Sequence, residues 1–404
     1  MYTYKIGISA KEHDTFVLNH PQANLLQSSD WASIKDNWKQ ELIGFYQDGE
    51  QVASAACLIR PLPLGRTMIY IPRGPIMDYT DRELLQFVIK SLQAFGKSKG
   101  AVFVKCDPSL FLQQRSIDQD VDDNEETLSL IAYLKSLGVD WSNRTTKLEQ
   151  TIQPRLQANI YAKDFDLANL SKKTKQAIRT ATNKGVNSCI GSTELLDDFA
   201  ELMKKTENRK EIHLRGREYY EKLMTTYGNH AYITMARLNI PNRLQELRHQ
   251  LDKSLAEQST FTSTTRQSKV TTNQKTIERI QTERAFLEEV LSQGKEDVPL
   301  AATLTLMFGD TSENLYAGMD ETFSPYQASI FTWYHTAKEA FERGSRWHNL
   351  GGIENQLDGG LYHFKARLNP TIEEFAGEFN IPTGILSKGA IWMYNLRKEM
   401  RNKH

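Results

Sequence analysis

Cysteine is scarce in this sequence. Three occur in 404 residues, Cys57, Cys106 and Cys189, and none forms a CxxC pair. That excludes a disulfide framework and a cysteine-built zinc site, and it makes a reducing, cytoplasmic setting the expectation. Long apolar runs are missing as well: nothing approaches the roughly eighteen consecutive apolar residues that a spanning helix needs. The opening stretch MYTYKIGISAKEHD carries charge early and has no apolar centre, so no secretory leader is expected there. Net charge is also absent, since 50 Lys and Arg balance 50 Asp and Glu. A polyanion site must therefore be a local patch. What is present is ordinary for a globular chain, with 25% charged and 39% hydrophobic residues. The length predicts two or three domains.

Familiar catalytic motifs are missing too. No GxxxxGK[ST], HExxH or GxSxG occurs, and no glycine-rich turn follows a strand in a dinucleotide-binding arrangement. The nine histidines show no metal-ligand spacing, so no metal site is expected. Nucleotide hydrolysis, zinc hydrolysis, serine hydrolysis and hydride transfer are disfavoured. A transferase whose substrates arrive already activated is the enzymatic class left.

The pattern along the chain predicts an α/β (α+β) protein. A helix-like stretch at Trp31–Trp38 in SDWASIKDNW would put Lys35 and Trp38 one turn apart. Strand-like runs cover 42–47, 52–60 and 67–71. A helix at 81–99 has Leu84, Leu85, Val88, Leu92 and Phe95 on one face. The short strand AVFVKCDP ends at Asp107, a base candidate or a turn-capping carboxylate. A strand is expected at 147–153, then a basic helix at 171–185. That helix carries Lys172, Lys173, Lys175, Arg179 and Lys184 without an acid, which suits phosphate or anionic lipid.

Residues 241–297 read differently. Leu244, Leu247 and Leu251, then Ile277, Ile280, Leu287 and Leu291, follow a three-and-four spacing. This predicts an antiparallel coiled-coil hairpin with STFTSTTRQSK at its tip. Arms of about 20 residues would reach about 30 Å. Strand-like runs on both sides make it an insertion, either for a long partner or for oligomerisation. The densest unusual segment is GGIENQLDGGLYHFKARLNP at 351–370, where Lys365 stands among Tyr362, His363 and Phe364. Such a lysine can hold charge over a reaction centre or can snorkel at the surface. At the C-terminus Trp392 and Tyr394 precede Arg397, Lys398, Arg401 and Lys403, a pattern suited to a membrane interface or to a docked helix.

SDWASIKDNW, YIPRGP, HLRGREYY, NLYAGM, LDGGLYHFK and EFAGEF, in this order, resemble the Fem family of non-ribosomal peptidyltransferases over essentially the whole chain. The likeness is strongest to its serine- and alanine-adding members. The resemblance implies two GNAT-like acyltransferase domains: a first at 1–150, and a second at 151–240 and 298–390. The arm at 241–297 would be inserted in the second, and a basic tail would fill 391–404. It implies transfer of serine or alanine from seryl- or alanyl-tRNA to the stem-peptide lysine of lipid II or a related muropeptide precursor. The protein would sit at the inner face of the plasma membrane, with other Fem enzymes as candidate partners. By the same resemblance Lys365 meets the oxyanion and Phe364 walls the site. Asp107 matches an aspartate considered as base. Lys35 and Arg215 hold the pyrophosphate, beside Trp38 and Tyr219, and Tyr316 and Glu378 contact the stem peptide.

Overall fold

The computed structural model describes residues 1–35 and 37–401, without the side chains of Asn395 and residues 397–401. Arg397, Lys398, Arg401 and Lys403 of the expected basic tail therefore lie outside the described side chains. Two eight-stranded sheets organise the chain. The first runs β1 (Tyr2–Ile6), β2 (Lys39–Gln47), β3 (Glu50–Pro61), β4 (Thr67–Ile71), β6 (Ala101–Cys106), β16 (Phe379–Pro382) and β8 (Asp140–Trp141), with β5 (Ile76–Met77) paired to β3. The second runs β10 (Val186–Gly191), β11 (Ala231–Asn239), β12 (Asp297–Phe308), β13 (Thr311–Met319), β14 (Trp347–Gly352), β9 (Leu156–Tyr161), β15 (Thr371–Phe375) and β7 (Phe111–Arg115).

The sheets repeat one plan. Three antiparallel pairings lead to a single parallel pair, β4 with β6 in the first and β13 with β14 in the second. A parallel pair needs a crossover. The helices Arg82–Ser98 and Ala328–Glu342 supply the two. The first of these is amphipathic as its spacing predicts: Asp81 caps it, and Leu84, Leu85, Val88, Leu92 and Phe95 are buried. At 25 cal/mol per Å², each large apolar side chain so buried contributes about 1.5–3 kcal/mol.

The two units are interlaced. Strand β7 comes from the first 150 residues yet closes the edge of the second sheet, and β16 returns from the C-terminal part to sit between β6 and β8 of the first. A boundary at residue 150 thus does not separate the sheets. The segment 25–34 also crosses over. Leu25, Leu26, Trp31 and Ile34 pack with Phe199, Leu202, Tyr220 and Leu304 in one apolar cluster.

The insertion between β11 and β12 is a helical hairpin, Ile240–Ser259 and Gln267–Ser292, with 260–266 at its tip. Leu247, Leu251, Ile277, Ile280 and Leu287 are buried, and Leu244 and Leu291 are partly so. At its base Glu283 accepts from Arg243 (2.8 Å), Lys184 (3.2 Å) and the Tyr326 hydroxyl (2.9 Å). Lys184 is thus tied to a carboxylate and is withdrawn from the basic face.

Two local expectations need correction. The stretch 147–153 is no strand. It holds a short turn of helix at Leu148–Gln150, and Pro154, which cannot donate to a ladder, precedes the true strand β9. The helix at Ser29–Ile34 stops before Lys35, whose ψ of 75° is not helical.

Candidate active site

The second sheet opens where its parallel pair parts. β13 and β14 pair only through Thr311–Trp347, Ser312–His348 and Glu313–Asn349, and then diverge. Opposite that point β13 carries a bulge between the pairings at Asn314 and Tyr316, which turns the strand away. The gap is a cavity of about 630 Å³ lined by Asn314–Met319, Leu350–Gly352, Glu354, Trp333, Phe364 and Lys365, with Arg209 and Lys210 at one side.

Lys365 lies on the short helix Gly360–Ala366 and is only 6% exposed. Its Nζ donates to the Gly352 carbonyl at 2.7 Å, and among the described residues no carboxylate pairs with it. Burial lowers its pKa from 10.5 to about 7. Glu354 works against that shift, and Lys210 adds to it. Glu354 is occupied elsewhere, accepting from the N–H groups of Leu361 and Tyr362, both at 2.9 Å. It can approach that helix start only because residue 359 is glycine, since a Cβ there would stand 2.0 Å from its carboxyl carbon. Phe364 meets the Trp333 ring edge-on at 5.2 Å, and Lys365 Nζ lies 5.7 Å from the same indole. This is an amine poised between charged and neutral in an apolar-walled cavity.

A second group of residues meets Tyr316, which lines this cavity, from across the junction of the units. Lys35 ends the Ser29–Ile34 helix and lies 4.2 Å from the Trp31 ring. Its pKa falls to about 8 through burial and then through the nearby Arg215. Arg215 precedes the helix Arg217–Tyr227, so it and Tyr219 do not share a helix face; its guanidinium nevertheless stacks 5.1 Å from the Tyr219 ring. Tyr219 meets Tyr316 edge-on at 6.2 Å, and Tyr316 lines the cavity. Contact therefore runs from Arg215 through Tyr219 to Tyr316 on the cavity, with Lys35 near enough to Arg215 to feel its charge; Lys35, Arg215 and Tyr219 lie beyond the residues that line the cavity around Lys365. Two cations held close by different units are suited to a phosphate dianion.

Three expected site residues stand apart. Trp38 is not one helical turn from Lys35, because the helix has ended; it packs at 6.4 Å against Tyr70, with Arg60 over its ring. Asp107 occupies the end of the first sheet's parallel pair, the place that is open in the second. It is buried and bonded at both oxygens, to the Arg73 N–H (2.7 Å) and the Tyr70 hydroxyl (2.8 Å). Burial raises its pKa to about 6 against the pull of Arg73. Glu378 is also buried, held by Lys105 (2.6 Å) and the Ile152 N–H (2.5 Å). Asp107 and Glu378 thus close the first sheet and do not line the cavity around Lys365.

On the basic helix, Lys172–Asn183, the residues Lys172, Lys173 and Arg179 are exposed and Lys175 is half-buried. Its first turn abuts the lysine helix, where the Thr174 hydroxyl donates to the Arg367 carbonyl at 2.9 Å. The cavity residues Trp333, Arg209 and Lys210 had no local sequence signal, because they come from separate helices. Among the described residues no cluster of His, Cys, Asp and Glu could hold a metal, and no helix is long and apolar enough to cross a membrane.

Two sheets of one plan, the second of them open where its parallel strand pair parts, are the arrangement of a tandem GNAT fold. A tandem GNAT protein from clavulanic acid biosynthesis aligns with 95% of this chain and 99% of its own at TM-score 0.50 and 9% identity, a likeness of fold. The FemAB family model matches residues 8–393, and the chain belongs to that family. The crystal structure of FemX superposes at TM-score 0.74 with 25% identity, over 97% of this chain and all of that one. The lipid II:glycine glycyltransferase of Staphylococcus aureus is 28% identical over 399 residues, 93% of this chain and 92% of that protein.

Proposed function

We propose that this acyltransferase moves serine or alanine from seryl- or alanyl-tRNA to the ε-amine of the stem-peptide lysine of lipid II, starting an interpeptide branch. The observation that carries this reading is Lys365, buried in a cavity with its amine on the Gly352 carbonyl and no carboxylate paired to it among the described residues. The family relatives named for lipid II support the acceptor. The acceptor amine attacks the ester carbonyl, the C–N bond forms, and the tetrahedral oxyanion collapses with loss of the ribose oxygen, which takes up a proton. Lys365 as ammonium faces the oxyanion, a contribution of about 3–4 kcal/mol per donor. Phe364 and Trp333 exclude water from it. Lys35 and Arg215 hold the pyrophosphate, with Tyr219 and Tyr316 against the stem. The ester supplies the driving force, so the reaction calls for no cofactor.

The basic helix beside the Lys365 helix suits the donor's phosphates. The C-terminal helix Ser387–Arg401 suits the inner membrane face. Trp392 (66% exposed), Met393 and Leu396 point outward with Ile385 and Leu386, whereas Tyr394 turns inward onto Phe103.

The test offers the purified protein labelled Ser-tRNA, Ala-tRNA and Gly-tRNA, with lipid II in vesicles or with the soluble nucleotide-linked precursor. Serine or alanine transfer to lipid II is expected. Glycine transfer would align the chain with its Staphylococcus relatives, and preference for the soluble acceptor would displace the membrane reading. Transfer only to an already substituted lysine would move it to the second branch position. No transfer would leave a tRNA- or membrane-binding scaffold.

A further inference from the structure

The backbone that receives the Lys365 amine is itself held by a buried side chain. Asn349 is the last residue of β14 still paired with β13, opposite Glu313. It is 3% exposed. Its Oδ1 accepts from the Gly351 N–H at 2.7 Å, and its Nδ2 donates to Gln157 Oε1 at 3.0 Å and to Glu313 Oε2 at 3.2 Å. The sense of these bonds is fixed chemically. A backbone N–H can only donate, so the amide oxygen must face Gly351 and the amino group must face the two acceptors. Gly351 has φ +86°, and a Cβ on it would stand 3.3 Å from Lys365 Nζ. The next carbonyl, that of Gly352, takes the Lys365 proton bond. The left-handed Gly351 therefore passes the setting of Asn349 directly to the amine.

We infer that Asn349 is a positioning residue for Lys365: anchored by Glu313 and Gln157 at the point where the strands part, it fixes the Gly351–Gly352 bulge that holds the catalytic amine in the cavity. The inference rests on the role proposed for Lys365 and adds the device that sets its geometry. Asn349 lies behind the residues that line the cavity. Its effect passes through one bulge, where a displacement of about 1 Å costs on the order of a hundredfold in rate.

The test compares Asn349→Asp, Asn349→Ala and the double variant Asn349→Asp with Glu313→Gln. The carboxylate introduced by Asn349→Asp retains an acceptor for the Gly351 N–H but loses both donors and faces Glu313. Adding Glu313→Gln then restores a donor to the pair. One readout is steady-state transfer. A second is the pH midpoint for acetylation of Lys365 by acetic anhydride, followed by mass spectrometry, which needs neither donor nor acceptor. The groups facing that amine are Glu354 and Lys210, with Trp333 apolar beside it.

Asn349→Asp is expected to lower kcat roughly tenfold to a hundredfold with the acceptor KM within about twofold, and the double variant to recover most of it. The acetylation midpoint should rise by about one unit in Asn349→Ala as water reaches the amine. An unchanged midpoint in both single variants overturns the assignment. So does a loss of kcat that the double variant fails to restore while its melting temperature is native, because that marks a merely structural bond. Should the wild-type chain transfer nothing while the midpoint still moves on substitution, the donor and acceptor reading falls and the positioning role stands.

Discussion

At the residue scale two buried ionisable groups carry opposite expectations, Lys365 in the cavity and Asp107 outside it. Lys365, with its pKa lowered to about 7 by burial, is an ammonium below that pH and an amine above it. If the ammonium meets the oxyanion, kcat/KM must fall as pH rises through about 7, since that ratio reports the free enzyme. Lys365→Arg keeps its charge at every accessible pH, so the descending limb should vanish from its pH–rate profile, whereas Lys365→Ala should lose about 10²–10³ in kcat. A limb that instead rises through 7 in the wild type would make the lysine a base. Asp107 presents the reverse case. Burial raises its pKa from 3.8 to about 6, so the folded chain holds that proton more tightly than the unfolded chain does. Its contribution to stability therefore declines as pH rises from about 4 to about 6. Asp107→Asn can still accept from Arg73 and donate to Tyr70, so activity should persist and this slope in the urea-unfolding free energy should disappear. Asp107→Ala strands the buried Arg73 N–H at a cost of roughly 1–3 kcal/mol. A loss of more than a hundredfold in kcat for Asp107→Asn at native stability would return Asp107 to the role of base. The aromatic, glycine-rich segment drew attention to Lys365 but left a snorkelling surface lysine open, which its burial now corrects, and the oxyanion role came from the family resemblance. The environment of Asp107 was not legible, since Tyr70 and Arg73 reach it from another strand and loop.

At the scale of elements, the helical hairpin shows what local pattern can carry. Its seam residues Leu247, Leu251, Ile277, Ile280 and Leu287 are the buried ones, because side chains three and four apart share a helix face whatever surrounds them. Elements without such periodicity were misjudged. The 147–153 run looks strand-like by composition, yet the ladder starts only after Pro154. The stretch Ser29–Trp38 has helical composition throughout but ends as a helix at Ile34, where Lys35 turns toward Trp31. Arg243, Glu283, Lys184 and Tyr326 tie the hairpin to the body at its base, and its buried seam runs outward as far as Leu251 and Asn273, beyond which Leu255 is 44% exposed. Replacing 256–270 with a short turn should therefore change the melting temperature by only a few degrees. If the hairpin helps to hold the tRNA donor, the shortened protein should show a higher KM for aminoacyl-tRNA with the acceptor KM unchanged. Equal values for both in the shortened and full-length proteins would favour its use as an oligomerisation arm, and sedimentation of the two would then differ.

At the scale of the whole molecule, the duplicated plan and the interlacing of the two sheets have different physical origins. Each repeat of three antiparallel pairings and a crossover helix is built from neighbours in sequence, so the alternation of strands and helices hints at it. The exchange of β7 and β16 joins residues more than 200 positions apart, as in the pairings of Phe375 with Phe111 and Phe379 with Cys106. No local periodicity encodes such a partner, so the expected division near residue 150 carried no sign of the exchange. The exchange has a thermodynamic consequence. A fragment ending at residue 150 lacks β16, so the backbone groups of β6 and β8 that pair with it would be left without partners. It would also leave Lys105 buried without Glu378, whose side chains are 1% and 4% exposed in the intact protein. Removing one partner of a buried ion pair costs about 3–5 kcal/mol, a large share of the roughly 5–15 kcal/mol that typically holds a domain folded. The fragment 1–150 should then show no cooperative thermal transition by circular dichroism, while the full chain melts in one step. Adding a fragment of residues 151–404 should restore the transition, since it returns β16 and accepts β7. A fragment 1–150 that folds on its own would show that the exchanged strands are an embellishment and that the lysine cavity belongs to a unit able to stand without its neighbour.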